Sequence, residues 1–163
     1  MTTIIIGGSG MLLEATKAIS KEVNQAILCS RDERKYHDIL SNNSNARFLE
    51  FDFSKENDFK KLEDDINKNK IEVENIIIWI HSGYYKYFYS LLENIKTSKT
   101  LSIYLCQGSS ANPLDEEIIN KHNIHLIKLG FNTMENRWLT HEEISNGLIE
   151  AFRNKKSMNI GHI

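Results

Sequence analysis

Cysteine and proline are scarce in this sequence. It contains two cysteines, Cys29 and Cys106, and one proline among 163 residues. Each cysteine stands at the end of a strand-like run, so we expect buried, reduced thiols rather than a disulfide. No spaced set of cysteine and histidine residues indicates a structural metal site, and we expect no bound metal. A single proline argues against a loop-rich or disordered chain.

The sequence also lacks a long apolar run and a large excess of charge. No stretch reaches the roughly 18 consecutive apolar residues that a membrane-spanning helix needs. The first residues are apolar, but they lack a basic leader and are followed early by Glu14 and Lys17, unlike a secretory signal. A net charge of −2 gives no overall basic field to attract nucleic acid. We therefore expect a cytoplasmic protein without a nucleic-acid or membrane partner.

Short apolar runs alternate with helical patterns along the whole chain. The length and a hydrophobic content of 40% fit one globular domain over residues 1–163. Strands are predicted at 3–6, 25–29, 47–51, 74–80, 101–106 and 124–129. Helices are predicted at 12–23, 32–41, 59–66, 85–95, 114–121 and 140–152, the last opened by a capping box at Thr140 and Glu143. This alternation predicts a three-layer α/β fold, with a doubly wound parallel sheet of about six strands in the order 3-2-1-4-5-6.

The first strand stops at a cluster of glycines. Ile4-Ile5-Ile6 is followed by a glycine-rich turn, and a helical pattern begins directly after it. Glycines let bare backbone approach a ligand, and the first helical turn offers unpaired N–H groups and the positive end of a dipole. This layout predicts pyrophosphate binding in a Rossmann fold, although glycines also end strands for structural reasons. The predicted contacts are Gly7, Gly8, Ser9, Gly10, Met11 and Leu12.

Basic residues follow the second strand. Ser30 and Arg31 end it, and Arg34 comes soon after. At this place an acid accepts hydrogen bonds from the free ribose hydroxyl of NAD, whereas an arginine can hold the 2′-phosphate of NADP. We therefore expect NADP, with NAD still possible because Asp32 is adjacent. Alternatively, Arg31 is a surface arginine paired with Asp32 or Glu33.

The ends of the remaining strands supply further candidate ligand contacts, because ligands of such sheets bind at the carboxyl ends of the strands. The predicted contacts are Asp52 and Phe53 after strand three, His81 and Ser82 after strand four, Gly108 after strand five and Gly130 after strand six. Two of them have structural alternatives. Asp52 could be a loop acid that caps the next helix, and His81 could be an ordinary structural histidine.

Together these positions resemble the short-chain dehydrogenase/reductase superfamily, in its atypical branch. Gly7-x-x-Gly10 resembles the nucleotide turn of that branch, and Ser30-Arg31 resembles its NADP-type second strand. Asp52-Phe53 resembles its adenine contact, whereas residues 79–82 stand where the family usually has Asn-Asn-Ala-Gly or a variant. Residues 137–147 resemble a segment of small bacterial proteins loosely labelled short-chain dehydrogenases. The resemblance covers nearly the whole chain and implies NADP(H) binding.

The sequence departs from the family at its catalytic motif. The third glycine of the fingerprint is replaced by Leu13, and no tyrosine precedes a lysine in the spacing Tyr-x-x-x-Lys. A rearranged catalytic set would consist of Ser109, Tyr85 and Lys86. In it the phenol donates a proton, the lysine lowers the pKa of the phenol, and the serine orients a carbonyl. Alternatively, the aromatic residues around Tyr85 form a packing or partner-contact face.

Two classes of function follow from these observations. The first is an NADP(H)-dependent reductase of a small carbonyl-type substrate. The second is a module that binds the dinucleotide without turning it over and signals redox state to a partner. A methyltransferase of related fold is disfavoured, since its cofactor requires an acid where Arg31 stands. In the family the helix after strand four commonly forms a self-pairing interface, and its aromatic residues here predict a homodimer.

Overall fold

A parallel sheet forms the centre of the computed structural model, which describes residues 1–97 and 100–163. Its strands are β1 (Thr2–Ile6), β2 (Gln25–Ser30), β3 (Ala46–Glu50), β4 (Val73–Trp79), β5 (Ser102–Gly108) and β6 (Asn123–Leu129). Two short strands, β7 (Phe131–Asn132) and β8 (Arg137–Trp138), form an antiparallel hairpin, and β9 (Met158–Ile160) follows near the end of the chain.

The helices alternate with the strands of the sheet. They are α1 (Leu13–Glu22), α2 (His37–Asn42), α3 (Glu56–Lys68), α4 (Tyr85–Asn94), α5 (Glu116–Lys121) and α6 (His141–Asn154). Short 3₁₀ turns over Glu33–Tyr36 and Ser82–Tyr84 precede α2 and α4. The predicted capping box opens α6: the Glu143 amide donates to Thr140 Oγ1 over 3.1 Å, and the Thr140 amide donates to Glu143 Oε1 over 3.0 Å.

The order of the seven parallel strands is β3-β2-β1-β4-β5-β6-β9. The predicted order of the first six strands is therefore confirmed. The chain winds outward in both directions from β1 and β4, which pair from Thr2↔Val73 to Ile6↔Ile78. All five residues of β1 are buried, as expected for a central strand covered on both faces. The reversal between β1 and β4 leaves a crevice at their carboxyl ends, where sheets of this type bind ligands.

Helices cover both faces of the sheet. Side chains alternate along β1, so Ile4 and Ile6 face one layer and Ile5 faces the other. The first layer contributes Phe59, Leu62, Phe88 and Ile118 from α3, α4 and α5. The second contributes Leu12, Ile19, Ile39 and Leu148 from the N-terminus of α1 and from α1, α2 and α6. The fold is thus the predicted three-layer α/β arrangement.

The seventh strand of the sheet was not predicted. β9 pairs with β6 from Ile127↔Met158 to Leu129↔Ile160, and two glycines permit its close approach. A Cβ on Gly147 would lie 2.2 Å from Ile160 Cδ1, and a Cβ on Gly130 would lie 2.1 Å from the His162 carbonyl oxygen. A three-residue strand is too short to show a period, which explains why the prediction of about six strands was incomplete.

Two expectations about thiols and membranes can be compared with this fold. Cys29 and Cys106 are buried and free, as expected, and burial raises the pKa of the Cys106 thiol to about 12. Among the described residues, no helix combines the length and the apolar character needed to cross a bilayer.

Candidate functional site

The glycine-rich turn begins with a residue that must be glycine. Gly7 has φ = +82°, in the left-handed region that side chains disfavour. A Cβ at this position would also lie 2.1 Å from the carbonyl oxygen of Trp79 at the end of β4. The chain therefore turns tightly where β1 and β4 lie side by side, before α1 begins at Leu13.

Gly8 and Gly10 have different surroundings. A Cβ on Gly8 would lie 2.4 Å from Thr16 Oγ1, the same hydroxyl that donates a 3.0 Å hydrogen bond to the Gly8 carbonyl. A Cβ on Gly10 would have no heavy atom within 4 Å. Packing within the protein accounts for Gly8 but not for Gly10, which borders open space.

Unpaired amide groups lead from this turn into α1. Its N-cap, Leu12, provides no side-chain hydrogen bond, and the backbone hydrogen bonds of this segment begin with the one from the Leu13 amide to the Gly10 carbonyl. Over residues 1–97 and 100–163, no acceptor is found for the backbone N–H groups of residues 9–12. From the other side, Ser145 Oγ in α6 donates to the Met11 carbonyl over 3.1 Å. Fixed N–H groups at a helix N-terminus suit an anion such as phosphate.

A cleft of about 590 Å³ extends from this turn across the carboxyl ends of β2 and β3. Predicted cofactor contacts that line it are Gly7, Ser9, Gly10, Met11, Ser30, Arg31 and Phe53. Residues that line it without having been predicted as contacts include Asp32, Lys35 and Trp79. Lys35 lies in the 3₁₀ turn that follows Arg31 and Asp32, and no spacing in the sequence identified it as a cleft residue.

The acid that follows β2 is bound to an arginine. Asp32 Oδ1 accepts from the backbone amide and from Nε of Arg34, both over 3.0 Å, and Asp32 Oδ2 accepts from Nη2 over 3.1 Å. The side-chain hydrogen bond with Arg34 lowers the pKa of Asp32, and the same bond raises the pKa of Arg34. No ion pair joins Arg31 to Asp32 or Glu33 in the described chain, so the alternative of such pairing is not found. Arg34, a predicted cofactor contact, does not line the cleft.

A buried tyrosine lies beside the glycine-rich turn. Tyr36 is fully buried, and its hydroxyl finds no hydrogen-bond partner among the described residues. Burial raises the pKa of Tyr36, while the neighbouring side chains of Ser30 and Ser9 and the backbone of Gly8 act in the opposite direction. An unpaired buried hydroxyl therefore lies against the residues that form the turn.

The two predicted contacts after β3 separate in space. Phe53 lines the cleft, with its ring centroid 5.7 Å from that of Tyr84. Asp52 Oδ1 instead accepts from the amide of Ser54 over 3.0 Å and from its hydroxyl over 2.7 Å. These two bonds lower the pKa of Asp52. Asp52 borders a neighbouring depression of about 390 Å³ that it shares with Arg31.

The predicted contacts after β4 also take on structural roles. His81 Nδ1 accepts from the Gly83 amide over 3.0 Å and so caps the 3₁₀ turn before α4. The ring of His81 lies edge-on to Tyr84, with centroids 5.8 Å apart. Ser82 borders an open depression of about 470 Å³ between the start of α4 and the loop that follows β5.

The three residues of the rearranged catalytic set do not share one cavity. Tyr85 is 4% exposed, and its hydroxyl accepts from Gln107 Nε2 over 3.2 Å. Lys86 Nζ lies over the ring of Tyr87, 5.3 Å from its centroid. Lys86 was expected to lower the pKa of Tyr85, but burial raises that pKa instead. Tyr85 and Lys86 line the 470 Å³ depression, whereas Ser109 lines a separate cavity of about 190 Å³.

The two remaining predicted contacts lie outside the main cleft. Gly108 lines the 190 Å³ cavity together with Ser109. Gly130 packs against the backbone of His162, a contact that accounts for a glycine there without a ligand. Both positions lie at the carboxyl edge of the sheet, beyond the glycine-rich turn.

The arrangement of strands and helices can be compared with known proteins. No family model and no curated protein matches the sequence. Among solved structures, one described as a short-chain dehydrogenase/reductase from Sinorhizobium meliloti 1021 superposes with a TM-score of 0.64 at 12% identity, over 97% of this chain and 94% of that one. A metagenomic short-chain oxidoreductase in complex with NADP gives a TM-score of 0.66 at 11% identity, over 100% of this chain and 95% of that one.

This chain has the fold of the short-chain dehydrogenase/reductases. A further protein of that family superposes with a TM-score of 0.67 at 11% identity, covering 99% of this chain and 95% of its own. The resemblance drawn from the sequence is therefore confirmed for the fold. Identities of 11–12% transfer no residue roles, so each role is argued from this chain alone.

Proposed function

We propose that this protein binds NADP(H) at the carboxyl edge of its sheet and uses it to reduce a small carbonyl-type substrate. One observation carries the proposal. The backbone at Gly10 borders open space in a 590 Å³ cleft, beside unpaired N–H groups at the start of α1. Bare backbone and aligned amide dipoles together are what a diphosphate requires.

The residues of the cleft fit such a dinucleotide. The N–H groups of residues 9–12 and the hydroxyl of Ser9 would hold the diphosphate. Phe53 presents an apolar wall that suits an adenine ring. When bound, the nicotinamide supplies the hydride, and the protein supplies orientation and charge.

Two cations support NADP over NAD. Arg31 and Lys35 both line the cleft at the carboxyl end of β2, and both side chains belong to exposed residues. A 2′-phosphate is a dianion near neutral pH, so two cations at the ribose end favour it. The metagenomic neighbour with this fold is itself in complex with NADP.

Reduction of a carbonyl requires a second site beside the nicotinamide. The open depression bordered by Ser82, Tyr85 and Lys86 has room for a small substrate, at about 470 Å³. Burial raises the pKa of the Tyr85 phenol, so the phenol is protonated at neutral pH but is a weaker acid than an ordinary tyrosine, which acts against this role. In this structure its hydroxyl is bonded to Gln107, so a substrate oxygen would have to replace or share that contact.

A second function, dinucleotide binding without turnover, is favoured by one specific observation. Ser109 lines a different cavity from Tyr85 and Lys86, so the proposed catalytic set is not assembled in one place. A protein that binds NADP(H) tightly but lacks an assembled proton donor could report redox state to a partner.

We also propose a homodimer that forms through α4. Light scattering at micromolar concentration that shows only monomer would contradict it.

Calorimetric titration with NADPH and NADH tests the proposal. The substitution Gly10→Val fills the open space at the turn, and we expect it to abolish binding while the melting temperature stays near that of the parent protein. Lys21→Val places the same side chain on an exposed position of α1 and should leave binding intact. Failure of the parent protein to bind either dinucleotide would overturn the proposal.

Turnover separates the two functions once binding is established. NADPH consumption with a panel of aldehydes and ketones supports the reductase. Tight binding with no consumption on any substrate in the panel supports the module that binds without turnover.

A further inference from the structure

The five consecutive residues at the carboxyl end of β2 are all charged, in the order Arg31, Asp32, Glu33, Arg34 and Lys35. Three of them, Arg31, Asp32 and Lys35, line the main cleft. Arg34 borders a separate surface depression of about 170 Å³ that also contains Lys17. Arg34 therefore affects the cleft through another residue rather than by contact with a ligand there.

That other residue is Asp32. Both of its carboxylate oxygens are engaged by the Arg34 guanidinium, at 3.0 Å from Nε and 3.1 Å from Nη2. The pairing is bidentate, which is the strongest geometry for an arginine and a carboxylate. The Asp32 side chain is 34% exposed and the Arg34 side chain 91%, so the arginine lies on the solvent side of the carboxylate.

An unpaired carboxylate at this place would act against a 2′-phosphate. It would repel the dianion and would accept hydrogen bonds from the free 2′-hydroxyl of NAD. With Arg34 in place, the negative charge of Asp32 is compensated, and Arg34 takes three of the roughly four acceptor positions of the carboxylate. Arg31 and Lys35 then determine the charge that a ligand meets.

We propose that Arg34 is a positioning residue for cofactor preference, which favours NADP over NAD by occupying the Asp32 carboxylate. The inference rests on the proposed dinucleotide site and adds to it the reason why an acid beside Arg31 does not select NAD. It also assigns different roles to two arginines that the sequence presents as equivalent. Arg31 faces the ligand, and Arg34 compensates an acid.

A structural role for the same pair must be distinguished from this one. Asp32 also caps the 3₁₀ turn through the 3.0 Å bond from the Arg34 backbone amide, and that bond survives a change of side chain. The substitution Arg34→Gln therefore removes only the guanidinium. Lys17→Gln is the matched control, since it removes one positive charge from the same depression and Lys17 pairs with Asp38 rather than Asp32.

Calorimetry with NADPH and NADH at low ionic strength measures the effect. We expect Arg34→Gln to reduce the ratio of NADPH to NADH affinity by about tenfold, because one uncompensated charge then faces the 2′-phosphate. Lys17→Gln should change the ratio less than twofold, since Lys17 does not line the cleft and pairs with Asp38 rather than with Asp32. The effect of Arg34→Gln should shrink as salt is added.

Rescue by a second substitution completes the test. In the double variant Arg34→Gln with Asp32→Asn, the uncompensated carboxylate is absent and asparagine can still cap the turn. The parental affinity ratio should return. An unchanged ratio in Arg34→Gln, an equal change in Lys17→Gln or a failure of rescue would each overturn the inference. Absence of binding by the parent protein would instead overturn the proposed function.

Discussion

The two halves of the sheet present different chemistry at their carboxyl ends. Around β1 and β2, unpaired backbone amides and exposed cations border one continuous cleft. Around β4 and β5, two of the predicted side chains are engaged within the protein: His81 accepts from the Gly83 amide, and Tyr85 accepts from Gln107. Groups of the first kind are free to meet a ligand, whereas groups of the second kind already stabilise the protein.

This difference separates binding from chemistry. A dinucleotide needs a site with uncompensated donors, and β1 and β2 provide it without rearrangement. Catalysis needs a proton donor beside the nicotinamide. The phenol proposed for this role is that of Tyr85, which is 4% exposed. The comparison favours NADP(H) binding as the firmer part of the proposal.

The largest expected effect comes from the first residue of the turn. Gly7→Ala forces a side chain into φ = +82° and places a Cβ 2.1 Å from the Trp79 carbonyl oxygen. We expect a loss of about 2–4 kcal/mol in the free energy of unfolding, because backbone at the junction of β1 and β4 must move. Urea denaturation measures it, with Gly10→Ala as the control at the open position of the same turn. Equal stability of the two variants would contradict the distinction between these glycines.

Local patterns in the sequence carried much of the fold. The apolar runs of β1 and β4, the glycine-rich turn and the capping box of α6 each depend on residues that are close in the chain. The strand order followed from them through the handedness of parallel crossovers. β9 could not be predicted this way, because its position depends on contacts between residues that are far apart in the chain. These are the contact of Gly147 with Ile160 and the approach of His162 to Gly130.

The part of the candidate site that is formed by backbone could be predicted from the sequence. Gly7, Gly10 and Arg31, which were predicted as cofactor contacts, line the cleft, and their contact with a cofactor stays a prediction. Side-chain partners were not predictable, since Asp32 could have paired with either arginine and pairs with Arg34. Likewise, the sequence neighbours Tyr85 and Lys86 point to different partners, Gln107 and the ring of Tyr87.

A smaller effect is expected where a tyrosine hydroxyl is bonded. Tyr85→Phe leaves Gln107 Nε2 in a buried position without its 3.2 Å partner. We expect a loss of about 1–2 kcal/mol in the free energy of unfolding, the cost of leaving a buried donor unpaired. NADPH affinity should be unchanged, because Tyr85 does not line the main cleft. A large loss of NADPH affinity in this variant would remove the separation between the two halves of the sheet.

The smallest effect is expected at a second buried tyrosine, which makes Tyr36→Phe a matched partner to Tyr85→Phe. Both changes remove one hydroxyl from a buried ring, but the Tyr36 hydroxyl has no hydrogen-bond partner in the described chain. Its desolvation is therefore not offset in the folded state, and its removal should raise the free energy of unfolding by up to about 1 kcal/mol rather than lower it. Urea denaturation of the two variants side by side makes the comparison. A loss above about 1 kcal/mol in Tyr36→Phe would mean that this hydroxyl is bonded to Ser9, Ser30 or the Gly8 backbone, which lie beside it. The polar groups around β1 and β2 would then be engaged within the protein, like those around β4 and β5. The contrast between the two halves of the sheet would be lost.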